Sequence, residues 1–255
     1  MKAKALLVIV AAMFAASPVL AQAKKSEEAP KTTQPEKKDE QRKEEKRERK
    51  DESKDSQKDT KKDSKDEKDR NPKAAAKVGE KAPDFTATDT NGNTVKLSEL
   101  TSQGKIVVLQ WFNPDCPYVV KHYKKGDTNT FNELHTKYNG KDVVILAVAS
   151  SAPGKQGSGT ERLNKAKTDW NMQYPIVLDE SGTIGKSFGA KNTPAMAVIG
   201  KDGTLAYWGA IDDDNGPDKP GKTNYVAKAL DELIAGKPVT TKETKPYGCS
   251  VKYKS

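Results

Sequence analysis

Fifty consecutive residues, 24–73, contain a single member of the hydrophobic class, Ala29, among 19 Lys/Arg and 16 Asp/Glu. No compact fold can be built from such a stretch, because it buries too little apolar surface to offset its ordering entropy. It reads as an unstructured charged linker, and it confines the folded part of the 255-residue chain to residues 74–255. All three Trp, all eight Tyr and both Cys lie in that part, which is ample for one compact core. Within 36–50, opposite charges three and four apart favour a transient solvated helix. Ser, Thr and Asp at 51–72 lower that propensity. The segment is expected to act as a solvated spacer or tether, with a reach on the order of 40 Å as a flexible coil.

Ahead of it stands a different pattern. Lys2 and Lys4 precede the apolar run Ala5–Ala16, followed by Ser17-Pro18 and by Ala21-Gln22-Ala23. This is the three-part layout of a secretory signal with a small-x-small cleavage site. The run is shorter than the roughly 20 residues that span a bilayer, so residues 1–23 are read as a signal peptide. The alternative is an uncleaved anchor. The expected location is the periplasm or cell envelope, with no transmembrane segment once the signal is removed. Export puts both cysteines where disulfides persist. The formal charge of +9 is less telling, because residues 74–255 interleave 24 basic with 20 acidic residues. No helix-turn-helix, zinc-finger or ribonucleoprotein pattern is present, so a nucleic-acid partner is not expected.

From Val78 onward, strands alternate with helices. Segments 84–88 and 93–97 flank Asn91-Gly92, a hairpin signal. Residues 105–112 and 142–148 are nearly continuous apolar runs, as expected of strands buried on both faces. A helical stretch from Pro117 to Tyr138 is interrupted near Gly126-Asp127, and a further helix covers about 161–171. Strands at 176–178 and 195–199 flank a short helix, and Lys201-Asp202-Gly203 turns into a strand at 204–209. A last helix over about 223–235 stops at Gly236 with Pro238 beyond it. The alternation argues for an α/β fold with a mixed sheet.

The chemistry points to Cys116. The buried strand ends in Asn113-Pro114-Asp115, and Cys116 then precedes Pro117, a residue suited to the first helical position. A thiol at a helix N-terminus is exposed to free N–H groups and the macrodipole, which favour its nucleophilic thiolate form. The bland alternative is a buried, inert cysteine.

Several further pieces carry a resemblance. Gly79-Glu-Lys-Ala-Pro-Asp-Phe85, Asn91-Gly92, Leu97-Ser-Glu-Leu100, Gly104–Leu109 and Cys116-Pro-Tyr-Val119 fall in the order and spacing of exported redoxins. These are the AhpC/TSA and TlpA-like members of the thioredoxin superfamily. The segment Tyr207–Asp213 and the tail Lys245–Tyr253, with its Gly248-Cys249, resemble one branch of these proteins. The resemblance covers about 78–253 and implies a thioredoxin fold, a mixed central sheet flanked by helices, with an N-terminal hairpin extension. It implies a thiol oxidoreductase with Cys116 as nucleophile, working by thiol–disulfide exchange or by peroxiredoxin-like peroxide reduction. Its partners would be a disulfide-containing protein or a peroxide, together with a thiol reductant; no cofactor is implied. Thr193-Pro194 resembles the family's cis-proline position, so Asn113, Pro117, Thr193 and Pro194 are expected to line the substrate.

The departures are Val119, where dithiol relatives carry a second Cys, and Asn113, where relatives carry Cys or a peroxide-binding Thr. The remaining partner is Cys249. It is read as a possible resolving thiol, favoured by its place near a flexible end, and is weighed against a structural Cys116–Cys249 staple. A non-enzymatic role, including copper binding by Cys116, Cys249 and a histidine, is the alternative, although His122 lies six residues from Cys116 and reads as a surface or satisfied helical residue. Asp212–Gly216 reads as a solvated or substrate-lining loop, and no metal site is assigned. Gly182–Ser187 lacks the first glycine of a phosphate loop, since residue 180 is Glu.

Overall fold

The computed structural model describes residues 75–124 and 129–255. The expected signal at 1–23 and charged linker at 24–73 lie outside the described residues, as do Gly126 and Asp127.

The described part opens with an antiparallel hairpin, β1 (Thr86–Thr88) and β2 (Thr94–Lys96). Its turn is organised by Asp89, whose Oδ1 accepts from the backbone N–H groups of Asn91 and Asn93 at 2.8 and 2.9 Å. Then follow α1 (Leu97–Ser102), β3 (Ile106–Trp111), α2 (Pro117–Lys124), α3 (Thr130–Tyr138) and β4 (Val143–Ala149). The second half holds α4 (Thr160–Asp169), β5 (Ile176–Leu178), α5 (Thr183–Phe188), β6 (Asn192–Thr193), β7 (Met196–Ile199), β8 (Leu205–Gly209), α6 (Tyr225–Ile234) and β9 (Cys249–Ser250). The expected elements are present with ends shifted by a residue or two, and the helical stretch 117–138 is two helices. Helix α1 and the pair β6 and β9 are new.

Five strands form one sheet in the order β5-β4-β3-β7-β8. The β3–β4 and β4–β5 pairs are parallel, and β3–β7 and β7–β8 are antiparallel. Central β3 is wholly buried, which explains its unbroken apolar run. Its side chains alternate between the two faces. Ile106 and Val108 pack with Phe131, Leu134 and Tyr138 of α3 and with Val226, Ala229 and Leu230 of α6. Val107, Leu109 and Trp111 pack with Phe85, Leu97, Ile184 and Phe188. Helix α6 shows the local logic: Asn224 caps it by accepting from Ala227 N–H at 2.9 Å, and its buried residues recur three and four apart. This architecture is a thioredoxin fold carrying an N-terminal hairpin.

Candidate functional site

The site begins where β3 ends. Asn113 Oδ1 accepts from Asp115 N–H at 2.9 Å, and the Asn113 carbonyl accepts from Cys116 N–H at 3.1 Å. Its amide nitrogen donates to the Gln156 carbonyl at 3.2 Å. Arg162 tightens the same turn from α4, with Nε donating to Asp115 Oδ1 at 2.9 Å and Nη2 to the Pro114 carbonyl at 3.2 Å. The Cys116 carbonyl then receives the N–H groups of Val119 and Val120, so Cys116 is the residue that starts α2 and Pro117 is the first helical position, as the spacing predicts. Asn113, expected to line the substrate, has a buried side chain hydrogen-bonded into this turn. Pro117 is exposed at the helix entrance.

Opposite Cys116 lies Thr193, whose bond to Pro194 is cis. Both residues are buried, and Cys116 Sγ donates to the Thr193 carbonyl at 3.1 Å. The other neighbour is Cys249. Strand β9 pairs antiparallel with β6, setting Cys249 directly across from Thr193 and Ser250 across from Asn192. Asn192 Nδ2 adds a bond to the Gly248 carbonyl at 3.2 Å. Burial and the neighbouring Cys116 push the pKa of the Cys249 thiol up to about 12. Gly248 is required by this approach: a Cβ there would stand 2.1 Å from the Thr193 carbonyl oxygen. Cys116, Thr193, Pro194 and Cys249 are thus brought together, and Cys116 is fully buried.

The end that was expected to be flexible is instead a docked strap. It starts along β8, where Trp208 and residues 242–244 exchange backbone hydrogen bonds. A Cβ at Gly209 would meet the Thr244 backbone at 2.7–2.8 Å. Thr244 Oγ1 also accepts from Ala210 N–H at 2.9 Å. Beyond Cys249, Val251 N–H reaches the Lys191 carbonyl, the Lys252 carbonyl receives Ala152 N–H, and the Tyr253 hydroxyl donates to Ala190 at 2.7 Å. A two-residue strand carries no periodicity to read, so the sequence signal for this docking is confined to Gly248-Cys249.

Three charged or ionisable residues lie beneath the strap, of which Lys121 was missed from sequence. Lys121, His122 and Asp212 are all buried. Lys121 Nζ lies 3.9 Å from carboxylate oxygens of both Asp212 and Asp214 and 4.4 Å from the centre of the Tyr247 ring. The Tyr247 hydroxyl donates to Asp212 Oδ1 at 2.6 Å and lies 3.1 Å from His122 Nε2, whose other ring nitrogen is 3.3 Å from Thr130 Oγ1. Burial, with Lys121 beside it, lowers the His122 pKa to about 3, so the ring is neutral. These contacts suit an Nε2–H tautomer that donates to Tyr247 and accepts from Thr130. Burial likewise lowers the Lys121 pKa, against the pull of Asp212 and Asp214. The loop at Asp212 is therefore not a solvated one at its first residue, and His122 is a buried, satisfied histidine. Among the described residues, no group of three or more His, Cys, Asp and Glu side chains is placed to hold a metal ion, and no helix is long and apolar enough to cross a membrane.

Comparison with known proteins agrees with this geometry. Residues 78–208 match the AhpC/TSA family. The thiol-disulfide oxidoreductase ResA of Bacillus thuringiensis subsp. konkukian is 28% identical over 129 residues, covering 51% of this chain and 67% of that one. A putative peroxiredoxin of Synechocystis, sll0755, is 26% identical over 140 residues, covering 51% of this chain and 67% of its own. Among solved structures, an uncharacterized conserved protein from Geobacillus kaustophilus superposes with a TM-score of 0.62 at 27% identity, covering 71% of this chain and 94% of that one.

Proposed function

This chain belongs to the AhpC/TSA family, and from that premise we propose that it is an exported thiol–disulfide oxidoreductase in which Cys116 attacks and Cys249 resolves. The observation that carries the reading is that Thr193 accepts from Cys116 Sγ at its carbonyl and pairs directly with Cys249 across β6 and β9. Cys116 thiolate attacks one sulfur of a substrate disulfide, forming a mixed disulfide and releasing one substrate thiolate. Cys249 then attacks the Cys116 sulfur and releases the second substrate thiol, which takes the Cys249 proton. The substrate gains two electrons and the Cys116–Cys249 pair is oxidised; a thiol reductant returns them. The raised pKa of Cys249 fits this order. It stays protonated beside a free Cys116, and loses that influence once Cys116 is engaged in a mixed disulfide.

Polypeptide disulfides are the favoured substrate class over peroxides. The groove along Thr193 already holds an extended backbone with a cysteine at its centre, in the form of β9, and the similarity to a named thiol-disulfide oxidoreductase supports the same choice. The layout at 1–23 supports export to the periplasm or envelope, with 24–73 as a charged tether and 74–255 as the working domain.

The test compares the wild-type chain with Cys116→Ser and Cys249→Ser, using a disulfide-bonded peptide and, separately, hydrogen peroxide. Cys116→Ser should reduce turnover of the peptide to background with the fold intact. Cys249→Ser should stop after one turnover with the substrate trapped on Cys116, visible as added mass. Undiminished turnover in Cys116→Ser overturns the reading, and activity confined to peroxide replaces its substrate class. A Cys116–Cys249 midpoint far below about −300 mV would mark a structural staple instead.

A further inference from the structure

The buried network under the strap has no part in the sulfur chemistry, yet it is costly to build. A lysine without access to water is tolerated only when its charge is matched, and Lys121 is matched within the frame by Asp212 and by Asp214. His122 and Thr130 also belong to the frame. Tyr247 is the one member supplied by the tail. Its hydroxyl bridges Asp212 and His122, and its ring lies against the Lys121 ammonium and the Tyr118 ring, with the two rings centred 6.2 Å apart. Cys249 follows two residues later, and Gly248 between them is pressed on the Thr193 carbonyl.

The arrangement is asymmetric. If the tail leaves, Lys121 and Asp212 still face each other, so no buried charge is orphaned in the frame. What is given up is the pair of hydrogen bonds at the Tyr247 hydroxyl, one to His122 and one to Asp212, the latter charge-assisted and of the stronger kind. The network therefore grips the tail without depending on it for its own charge balance.

We propose that Tyr247 is a positioning residue for the Cys116–Cys249 pair: Asp212, His122 and Lys121 hold its side chain as a latch, and the latch sets how readily Cys249 reaches Cys116 and how far Cys116 is closed to other reactants. This rests on the reading of the two cysteines as a redox pair. With the latch engaged, β9 covers Cys116 and the resolving thiol is held at its target. With it released, Cys116 is open to a substrate strand, and re-engagement returns Cys249 for the second step.

The experiment uses the full chain and Tyr247→Phe, which keeps the ring and removes the hydroxyl. Two quantities are read: the midpoint of the Cys116–Cys249 pair in a thiol–disulfide buffer, and the rate at which iodoacetamide modifies Cys116 in the reduced protein, followed by peptide mass. Modification is expected to accelerate about tenfold. The midpoint is expected to rise by about 30 mV, the tenfold equivalent for a two-electron couple. Gly248→Ala keeps every polar group of the network but drives the strand off the Thr193 carbonyl, and should give a larger shift of both quantities. If either variant leaves both unchanged, the latch is overturned while the redox pair stands. If the wild-type chain forms no Cys116–Cys249 disulfide across the titration, the underlying reading falls instead.

Discussion

The two cysteines sit on regions built by different physics. Cys116 is mounted on a wall of apolar packing, with Phe112, Val119, Tyr123 and Phe131 all buried around it and β3 behind it. Cys249 rides on a strap whose residues from 240 onward are exposed or half-buried and which is held by backbone pairing and a few polar side chains. Within 239–253 only Val239 is buried in the core. The wall can come apart only with the domain, whereas the strap can open locally. A fixed Cys116 thus faces a partner on a strap that is able to leave and return, which the two-step exchange proposed above requires.

The largest test of this contrast is truncation on the wall. Phe131→Ala should cost about 3–5 kcal/mol in denaturant unfolding, as other buried Phe deletions do. A loss below about 1 kcal/mol would show that the wall is not the core it is taken to be. The next effect is acid sensitivity. His122 is lowered from 6.5 to about 3 by burial and Lys121, so below pH 6.5 the unfolded chain binds a proton that the folded chain does not. Stability should therefore fall as the pH drops from about 6.5 toward 3. His122→Gln should flatten that slope, and an unchanged slope would assign the acid response to other groups. The smallest effect belongs to the far end of the strap. Tyr253→Phe removes one hydrogen bond to Ala190 and should ease local opening by about 1 kcal/mol. Faster exchange of the Val251 amide, with unfolding of the β3 amides unchanged, is the expected pattern.

Much of the wall is legible in the sequence because burial leaves a pattern. The apolar run of β3, the Cys-Pro step and the capped α6 are signals of covalent and hydrophobic logic. The strap is poorly legible because its information is relational. Nothing in Cys249-Ser250 alone distinguishes a strand from a loose end; the partner Asn192-Thr193 decides it. Lys121 carries no signal of burial in the sequence, and Asp212 reads as part of a solvated or substrate-lining loop; each is buried beside the other. The contacts of Asn113 are relational too: its amide meets the Gln156 carbonyl and the Asp115 N–H, and the first of these partners lies far along the chain.

The strap leaves its track in residues that have no side chain. At Gly209 the missing Cβ makes room for the Thr244 backbone, and at Gly248 it makes room for the Thr193 carbonyl. Together the two glycines form a marker that can be sought in other sequences. A relative that keeps the Cys-Pro step and a cysteine near its end, but carries side chains at both of these positions, cannot lay its tail along this path. Counting cysteines would group such a chain with this one, and reading its glycines would separate them.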